Sequence, residues 1–363
     1  MAVSKEQILE RLGTVMDPEL GRDLVTLGMV KQVDCQDGAV KATIELTTPA
    51  CPMKDQIRSD VEVAIRQLGQ EVRSIEIEFT ANVQQASPQA RAADNNPLPE
   101  VKNIVAIGAG KGGVGKSTIS VNVAVGLARA GAAVGLLDAD IYGPSMPTML
   151  NLVDARPRAD GNSILPFEVH GIKSMTIGAL VEAEKPLIWR GPMAHGAFRQ
   201  LATQTDWGVL DYLIIDLPPG TGDVPLTMSQ LLPLTGAVVV CTPQKVAQDD
   251  ARRAVRMFGQ LGVDVLGIIE NMSYFIGDDG KEYDIFGRGG AATMAVEMGV
   301  EFLGTVPINM GLRQRSDAGN PTGNFEDDPK LAEQLQAVVG KLAGKISVHN
   351  HSGKYVQPTI SIN

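Results

Sequence analysis

The sequence contains few cysteines and no long hydrophobic segment. Cys35, Cys51 and Cys241 lie too far apart to define a disulfide framework or a local zinc site from their spacing. No segment reaches the ~18 uncharged apolar residues of a membrane-spanning helix, and charged residues from Lys5 to Arg11 occupy the place of a signal peptide's apolar stretch. These absences predict a soluble, cytoplasmic protein with reduced thiols.

Positive charge is also in short supply. The chain has 32 Lys and Arg against 42 Asp and Glu, which gives a net charge of −10. This balance repels phosphate backbones and anionic lipid unless a strong local basic patch compensates, so neither a nucleic acid nor a membrane is an expected partner. Apolar residues, in contrast, make up 44% of the 363 positions, enough to build a core in each of two or three domains.

Residues 1–82 are typical of a small α+β domain. Apolar residues recur at helical spacing over 4–16, and two strand-like runs, Gly28–Val33 and Ala39–Leu46, flank a turn at Asp37-Gly38. A second helix to Leu68 and a strand over Val72–Phe79 follow, which predicts the order α-β-β-α-β. Residues 83–100 are polar and proline-bearing, as in an exposed linker.

Residues 101–345 alternate buried strand-like runs with helical stretches. Such runs indicate a mostly parallel sheet covered by helices on both faces, an α/β architecture. Residues 346–363 are expected to form a loose tail. The predicted strands are Ile104–Ala109, Val134–Leu137, Tyr212–Ile215, Ala237–Cys241, Val265–Ile269 and Phe302–Val306.

The strongest motif is a glycine-rich phosphate loop between the first of these strands and a helix that runs to about Arg129. Its backbone N–H groups would cradle phosphate oxygens, Lys116 would reach the β- and γ-phosphates, and the Ser117 hydroxyl would bind Mg²⁺. The motif consists of Gly110, Lys111, Gly112, Gly113, Val114, Gly115, Lys116, Ser117 and Thr118.

Lys111 is a second lysine at the start of this loop. Cradling the same phosphates does not require it, so we interpret it as a cation for the γ-phosphate of a partner subunit. The alternative is a solvated surface lysine.

Aspartates at two strand ends complete the predicted nucleotide site. Asp138 and Asp140 lie where phosphate-loop enzymes place a switch segment, and Asp216 follows four apolar residues, as a Mg²⁺-supporting carboxylate does. Asp138 or Asp140 could instead cap an ordinary strand end before the turn that follows.

Five separated motifs resemble the Mrp/ApbC branch of the deviant phosphate-loop ATPases. They are KGGVGKST, DADIYGPS, WRGPM, DLPPGTGD and ENMSYF, in the family's order. The front unit, with DPEL and TTPACPM, resembles the small metal-sulfur cluster assembly domain often fused to such ATPases. The resemblance implies a carrier that binds an iron–sulfur cluster and passes it to apoproteins.

The resemblance also implies roles for individual residues. Lys111 would reach across an ATP-sandwiching homodimer, Asp140 would position the attacking water, and Asn271 would read the adenine edge. ATP and Mg²⁺ are the implied cofactors, with Ser117 and Asp216 at the metal.

The chain departs from the family pattern in one place. Where most relatives have a C-P-x-C pair that supplies thiolates to a bridging [4Fe–4S] cluster, Gly277 and Gly280 stand in the two cysteine positions. Cys51 is the leading substitute, because a helix N-terminus would leave it exposed with a low pKa. The alternative is a half-buried apolar side chain, and Cys35 and Cys241 are expected to be packed.

Two other functions stay open. A MinD/ParA-like positioning ATPase shares the deviant loop but would need a basic amphipathic helix or a basic surface, which the sequence does not display. A nucleotide-driven regulator that no longer carries a cluster would account for the missing cysteine pair. His349 and His351 in the tail have metal-like spacing but are expected to be solvated and disordered.

Overall fold

The computed structural model describes residues 3–86, 96–141, 143–161, 163–179, 191–220, 222–277 and 279–351. Parts of the predicted linker (87–95), of the WRGPM motif (Trp189 and Arg190) and of the predicted tail (352–363) lie outside these ranges. The described residues form two compact units. The first contains the residues up to Gln84 together with those from Ala343 onward, and the second runs from Gln85 to Leu342.

The first unit has the predicted order of elements. β1 and β2 pair antiparallel around a turn in which Asp37 and Gly38 both have positive φ, as a tight hairpin requires, and β2 and β3 pair in parallel. The helices pack on this sheet through a core that includes Ile8, Ile44 and Ile57. The elements are α1 (Lys5–Leu12), β1 (Val30–Gln36), β2 (Ala39–Leu46), α2 (Lys54–Arg66) and β3 (Ser74–Ala81).

The second unit is built on a nine-stranded, mostly parallel sheet. Its first half contains β4 (Val101–Ala109), α3 (Lys116–Arg129), β5 (Val134–Asp138), α4 (Met146–Met149), β6 (Arg158–Asp160), β7 (Ser163–Leu165), β8 (Phe167–Val169), β9 (Ile172–Thr176), a 3₁₀ turn (Ile177–Ala179), α5 (Gly191–Gln204) and β10 (Leu210–Asp216). Its second half contains α6 (Asp223–Leu231), β11 (Gly236–Cys241), α7 (Lys245–Gln260), β12 (Val265–Ile276), β13 (Glu282–Tyr283), α8 (Gly290–Met298), β14 (Phe302–Ile308), α9 (Met310–Asp317), α10 (Gly323–Glu326) and the start of α11. Helix α11 (Pro329–His351) belongs to the second unit up to Leu342 and to the first unit from Ala343.

The strand order brings the carboxyl ends of three central strands, β4, β10 and β5, next to one another. The order is β13-β12-β11-β4-β10-β5-β9-β8, with β14 also paired to β12, so β10 lies between β4 and β5. All three are parallel, and Asp216 is in register with Asp138 on one side and Ile107 on the other. The carboxyl ends of neighbouring parallel strands meet at one edge, where ligands of such sheets bind. The sheet confirms the predicted α/β architecture.

The predicted loose tail is wrong over residues 346–351. Helix α11 continues through His351, and Leu342, Ala343 and Ile346 are buried along it. Their spacing extends the apolar period of the helix into the segment that we assigned to the tail. His349 and His351 therefore lie on a helix, where the His351 ring is 2.8 Å from the Ser347 carbonyl oxygen.

Candidate functional site

The phosphate loop joins the end of β4 to the start of α3, as the sequence predicts. Gly113 and Gly115 have φ values of 80° and 81°, a region that residues with a side chain rarely adopt. A Cβ at Gly110 would collide with the backbone of Asp250, and one at Gly115 with the amide of Asn271. The glycines therefore meet both the conformation of the loop and the close approach of its neighbours.

Lys116, Ser117 and Asp216 come together beneath the loop. The Lys116 ammonium lies 2.7 Å from Asp216 Oδ1 and 3.2 Å from Ser117 Oγ, and the Ser117 hydroxyl donates to Asp216 Oδ2 at 2.6 Å. Ser120, one turn further along α3, donates to Asp216 Oδ1 at 2.6 Å. Our sequence analysis missed Ser120, because no motif distinguishes it from other small residues of the helix.

Asp138 and Asp140 follow β5 at the same edge. Asp140 is 8% exposed, and its Oδ2 lies 3.9 Å from the Lys116 ammonium. Asp138 is fully buried and accepts hydrogen bonds from the Asp140 N–H at 3.1 Å and from the Thr176 hydroxyl at 2.9 Å. Burial, followed by the charge of Asp216, raises the pKa of Asp138. The strand-end cap that we kept as an alternative thus describes Asp138, which bonds to the turn after its own strand.

Lys111 is half-buried at the start of the loop, and within the described residues no carboxylate lies within ion-pair distance of it. Val114 is buried, Thr118 is half-buried, and Gly112 and Gly113 are exposed. An ammonium without a carboxylate partner is available to an anion from outside the protomer. Its action across a dimer stays a prediction.

The Asn271 side chain contacts the phosphate loop. It is 3% exposed, and its Nδ2 donates to the Val114 carbonyl oxygen at 2.8 Å. Its Oδ1 is buried and has no hydrogen-bond partner among the residues that the structure describes. Met272, the next residue, has a φ of 55° at an irregularity in the pairing of β12 with β14. The contacts of Asn271 are thus with the loop, and its reading of adenine stays a prediction.

Glu270, which the sequence analysis did not single out, anchors this segment. The carboxylate is fully buried and accepts from the Ser273 hydroxyl at 2.6 Å and from the N–H groups of Gly289 and Ala291 at 3.0 and 2.8 Å. It therefore holds the start of α8 to the middle of β12. In the sequence, the available signal was a glutamate that directly follows the apolar run 265–269.

Gly277 and Gly280, the positions where the sequence resemblance led us to expect a cysteine pair, lie between β12 and β13. Gly280 has a φ of 73°, and a Cβ at Gly277 would stand 2.8 Å from the Tyr283 ring. The Gly280 N–H donates to the Gly277 carbonyl oxygen at 2.9 Å, and the Tyr283 hydroxyl donates to Asp279 at 2.9 Å. This turn is thus shaped for glycine at both positions.

The expectation that Cys51 has an exposed thiol with a low pKa is wrong. Cys51 is half-buried at the edge of the first unit's core, and burial raises the pKa of its thiol to about 11. α2 begins three residues later, at Lys54, and the carboxylates of Glu19 and Asp17 raise the pKa further. The helix N-terminus therefore does not yield a thiolate.

The other two cysteines behave as expected from their packing. Cys241 is buried in β11, where burial raises its thiol pKa to about 12, and Cys35 is half-buried in β1. Within the described ranges, no three His, Cys, Asp or Glu side chains are grouped so that they could hold a metal ion. In the same part of the chain, no helix combines the length and the apolar character needed to cross a bilayer.

Two protein families match the chain. Residues 100–343 match the family described as NUBPL iron-transfer P-loop NTPase, and residues 5–77 match the family described as iron-sulfur cluster assembly protein. The two matches fall on either side of the polar linker, apart from the linker's last residue.

Similar proteins include relatives from bacteria, a plant and an archaeon. An iron-sulfur cluster carrier protein from Synechocystis is 47% identical over 352 residues, which are 95% of this chain and 99% of the relative. The chloroplastic Fe-S cluster assembly factor HCF101 of Arabidopsis thaliana is 41% identical over 88% of this chain and 59% of the plant protein. A nucleotide-binding protein from Archaeoglobus fulgidus, solved with ADP, superimposes with a TM-score of 0.57 and is 38% identical over 65% of this chain and 93% of its own.

Proposed function

Since the chain belongs to the family of iron-transfer P-loop NTPases, we propose that it binds iron–sulfur clusters and transfers them to target apoproteins, with ATP hydrolysis in a homodimer. The observation that carries the proposal is an assembled phosphate loop, with Lys116, Ser117 and Asp216 in contact, in a chain that matches named cluster carriers over nearly its whole length. We assign residues 1–82 and 101–345 to its two domains, with a linker at 83–100. Three cysteines outside any disulfide suit a cytoplasmic, reducing compartment.

ATP would bind at the carboxyl edge of the sheet. The loop N–H groups and Lys116 hold the phosphates, Asp140 orients the attacking water, and Lys111 of the other protomer reaches the γ-phosphate. Asn271 supports the loop through its Nδ2, and the adenine-reading role that we propose for it follows from the family resemblance. Lys116 must leave Asp216 to reach a phosphate.

The chemistry of the site fits Mg²⁺. The Ser117 hydroxyl and the Asp216 carboxylate are hard oxygen donors 2.6 Å apart, and Mg²⁺ in nucleotide sites is held by such groups together with phosphate oxygens. When bound, the ion would neutralise charge on the phosphates. Asp216 then holds the Ser117 hydroxyl in place, and Ser120 holds Asp216.

The cluster is cargo, and its ligands would differ from those of most relatives. A [4Fe–4S] cluster takes four thiolates, whereas a symmetric dimer offers two copies of Cys51. Gly277 and Gly280 supply no thiolate, so full ligation needs another residue, an external thiol or a target protein. We therefore expect a labile, substoichiometric cluster on the isolated protein.

Anaerobic reconstitution with iron and sulfide tests the carrier function. We expect the parent to take up iron and sulfide and absorb visible light, and we expect Cys51→Ser to lose this uptake, while Cys241→Ala, which removes a buried strand thiol, retains it. Equal uptake by Cys51→Ser would refute the role of Cys51. A parent that hydrolyses ATP but takes up no cluster would favour the regulator that the glycine turn permits.

A further inference from the structure

A buried threonine outside all the recognised motifs contacts the switch segment. Thr176 is the last residue of β9, is fully buried, and is the cross-strand partner of Asp138 in the parallel pair of β9 with β5. Its hydroxyl donates to Asp138 Oδ2 at 2.9 Å and accepts from the Gly178 N–H at 3.1 Å. The Gly178 N–H thus orients the Thr176 hydroxyl, and the hydroxyl in turn orients the Asp138 carboxylate.

The two oxygens of Asp138 link Thr176 to Asp140. Oδ1 accepts the Asp140 N–H at 3.1 Å, while Oδ2 accepts the Thr176 hydroxyl and, at a longer 3.4 Å, the Met146 N–H. A carboxylate is planar and rigid, so a donor that fixes one oxygen also fixes the other. Thr176 is the shorter of the two contacts at Oδ2, and without it the Asp138 side chain would turn more freely.

We propose that Thr176 is a positioning residue for ATP hydrolysis: its hydroxyl fixes the Asp138 carboxylate, which holds the Asp140 backbone and so places the Asp140 side chain at the attacking water. The inference rests on the proposed hydrolysis and on the role proposed for Asp140. The hydrogen bonds of Thr176 go to Asp138 and Gly178, whereas the phosphate-binding Lys116 and Ser117 are held by Asp216. The inference therefore separates hydrolysis from nucleotide binding.

Thr176→Val removes the hydroxyl with little change of shape. We expect kcat for ATP to fall roughly 10- to 100-fold, since small misplacements of a catalytic group have effects of this order, while the Kd for Mg-ATP stays that of the parent. Thr176→Ser keeps a hydroxyl at this position and should restore most of kcat. In an Asp140→Ala background, Thr176→Val should cause no further loss of kcat.

A second buried threonine provides the matched control. Thr235 is 1% exposed and directly precedes β11, at the amino ends of the parallel strands. Its hydroxyl accepts a hydrogen bond from the Ile104 N–H at 3.1 Å. Thr235→Val should lower the free energy of unfolding and leave kcat per folded molecule unchanged. A structural role of Thr176 would make the two variants behave alike.

The outcomes separate this inference from the function on which it rests. A parent that binds Mg-ATP without hydrolysing it contradicts both. A parent that hydrolyses ATP, with Thr176→Val equal to it in kcat or Thr176→Ser as impaired as Thr176→Val, overturns the positioning role alone. A fall in kcat matched by an equal weakening of Mg-ATP binding also overturns it.

Discussion

Lys116 and Asp216 form a buried ion pair, with the ammonium 2.7 Å from Oδ1 and side chains that are 7% and 1% exposed. The two residues come from different strand-loop segments, and Ser117 and Ser120 donate to the same carboxylate. Because these hydroxyls also hold the carboxylate, we expect Asp216 to keep its position when the lysine turns toward a phosphate. Asp216 would then be the fixed part of the site and Lys116 the moving part.

Lys116→Ala tests this pair. We expect turnover to be lost and Mg-ATP to bind on the order of 10- to 100-fold more weakly, because a charge-assisted contact with phosphate disappears. Isothermal titration calorimetry measures the binding of Mg-ATP, and a phosphate-release assay measures turnover. Lys173→Ala is the control, since Lys173 is half-buried and donates to the Trp207 carbonyl oxygen instead. Parent-like turnover in Lys116→Ala would remove the phosphate-loop assignment.

Lys111→Ala should bind Mg-ATP like the parent but hydrolyse it ~10³- to 10⁵-fold more slowly, the range of cations supplied by a partner. Mixing provides a sharper measurement. A Lys116→Ala protomer binds nucleotide poorly but carries an intact Lys111, so adding it to Lys111→Ala should restore part of the turnover. No recovery in the mixture would mean that Lys111 does not act on the partner's nucleotide.

Asp140→Ala should trap an ATP-bound dimer, because it deletes the group that orients water and spares those that bind phosphate. Size-exclusion chromatography with light scattering, with and without Mg-ATP, measures the mass. The double variant Lys116→Ala with Asp140→Ala is the control and should stay monomeric. An Asp140→Ala protein that is monomeric with ATP bound contradicts the sandwich dimer.

Gly280→Ala tests whether the β12–β13 turn is built for glycine. At a φ of 73° a side chain costs about 1–2 kcal/mol, so the midpoint of urea unfolding should fall. Gly259→Ala is the matched control: Gly259 lies in α7, outside the left-handed region and with open space at its Cβ, so the change should be neutral or stabilising. Equal midpoints for the two variants would mean that the turn tolerates a cysteine at Gly280 as well.

Glu19 predicts a pH dependence of stability in the first unit. Burial and then the neighbouring charge of Asp17 raise the pKa of Glu19 to about 7, from 4.5 in the unfolded chain. The folded state thus binds the proton more tightly, and the stability this contributes is present below pH ~4.5 and is lost as the pH rises through about 7. Glu19→Gln should therefore raise the free energy of unfolding more at pH 8 than at pH 5.5.

The exposed Glu10 provides the comparison for this measurement. Glu10→Gln should change the free energy of unfolding by less than about 0.5 kcal/mol at either pH. An equal gain for Glu19→Gln at both pH values would show that the carboxyl of Glu19 does not change its protonation between them.

The sequence predicted the sheet and assigned Ser117 and Asp216 to one magnesium site, because buried parallel strands and a phosphate loop each have a local signature. The structure brings these two side chains into contact. It did not predict Ser120, Thr176 or Glu270. Their roles depend on which side chain faces them across the fold, and 96 residues separate Ser120 from its partner Asp216. The prediction for Cys51 was wrong for a related reason. The sequence indicated the helix start, but it did not indicate the burial that raises the pKa of the thiol.

The position of β10 between β4 and β5 sets the order in which the protein can become active during synthesis. β4, the phosphate loop and β5 leave the ribosome before β10, which is the common neighbour of both strands and pairs Leu210 with Val101. Pairings this distant along the chain form late and slowly. A nascent chain that ends before Asp216 would contain the whole phosphate loop and still lack the carboxylate that holds Ser117. We therefore expect the nascent chain to bind ATP only after synthesis has passed Asp216, which is more than half of the 363 residues.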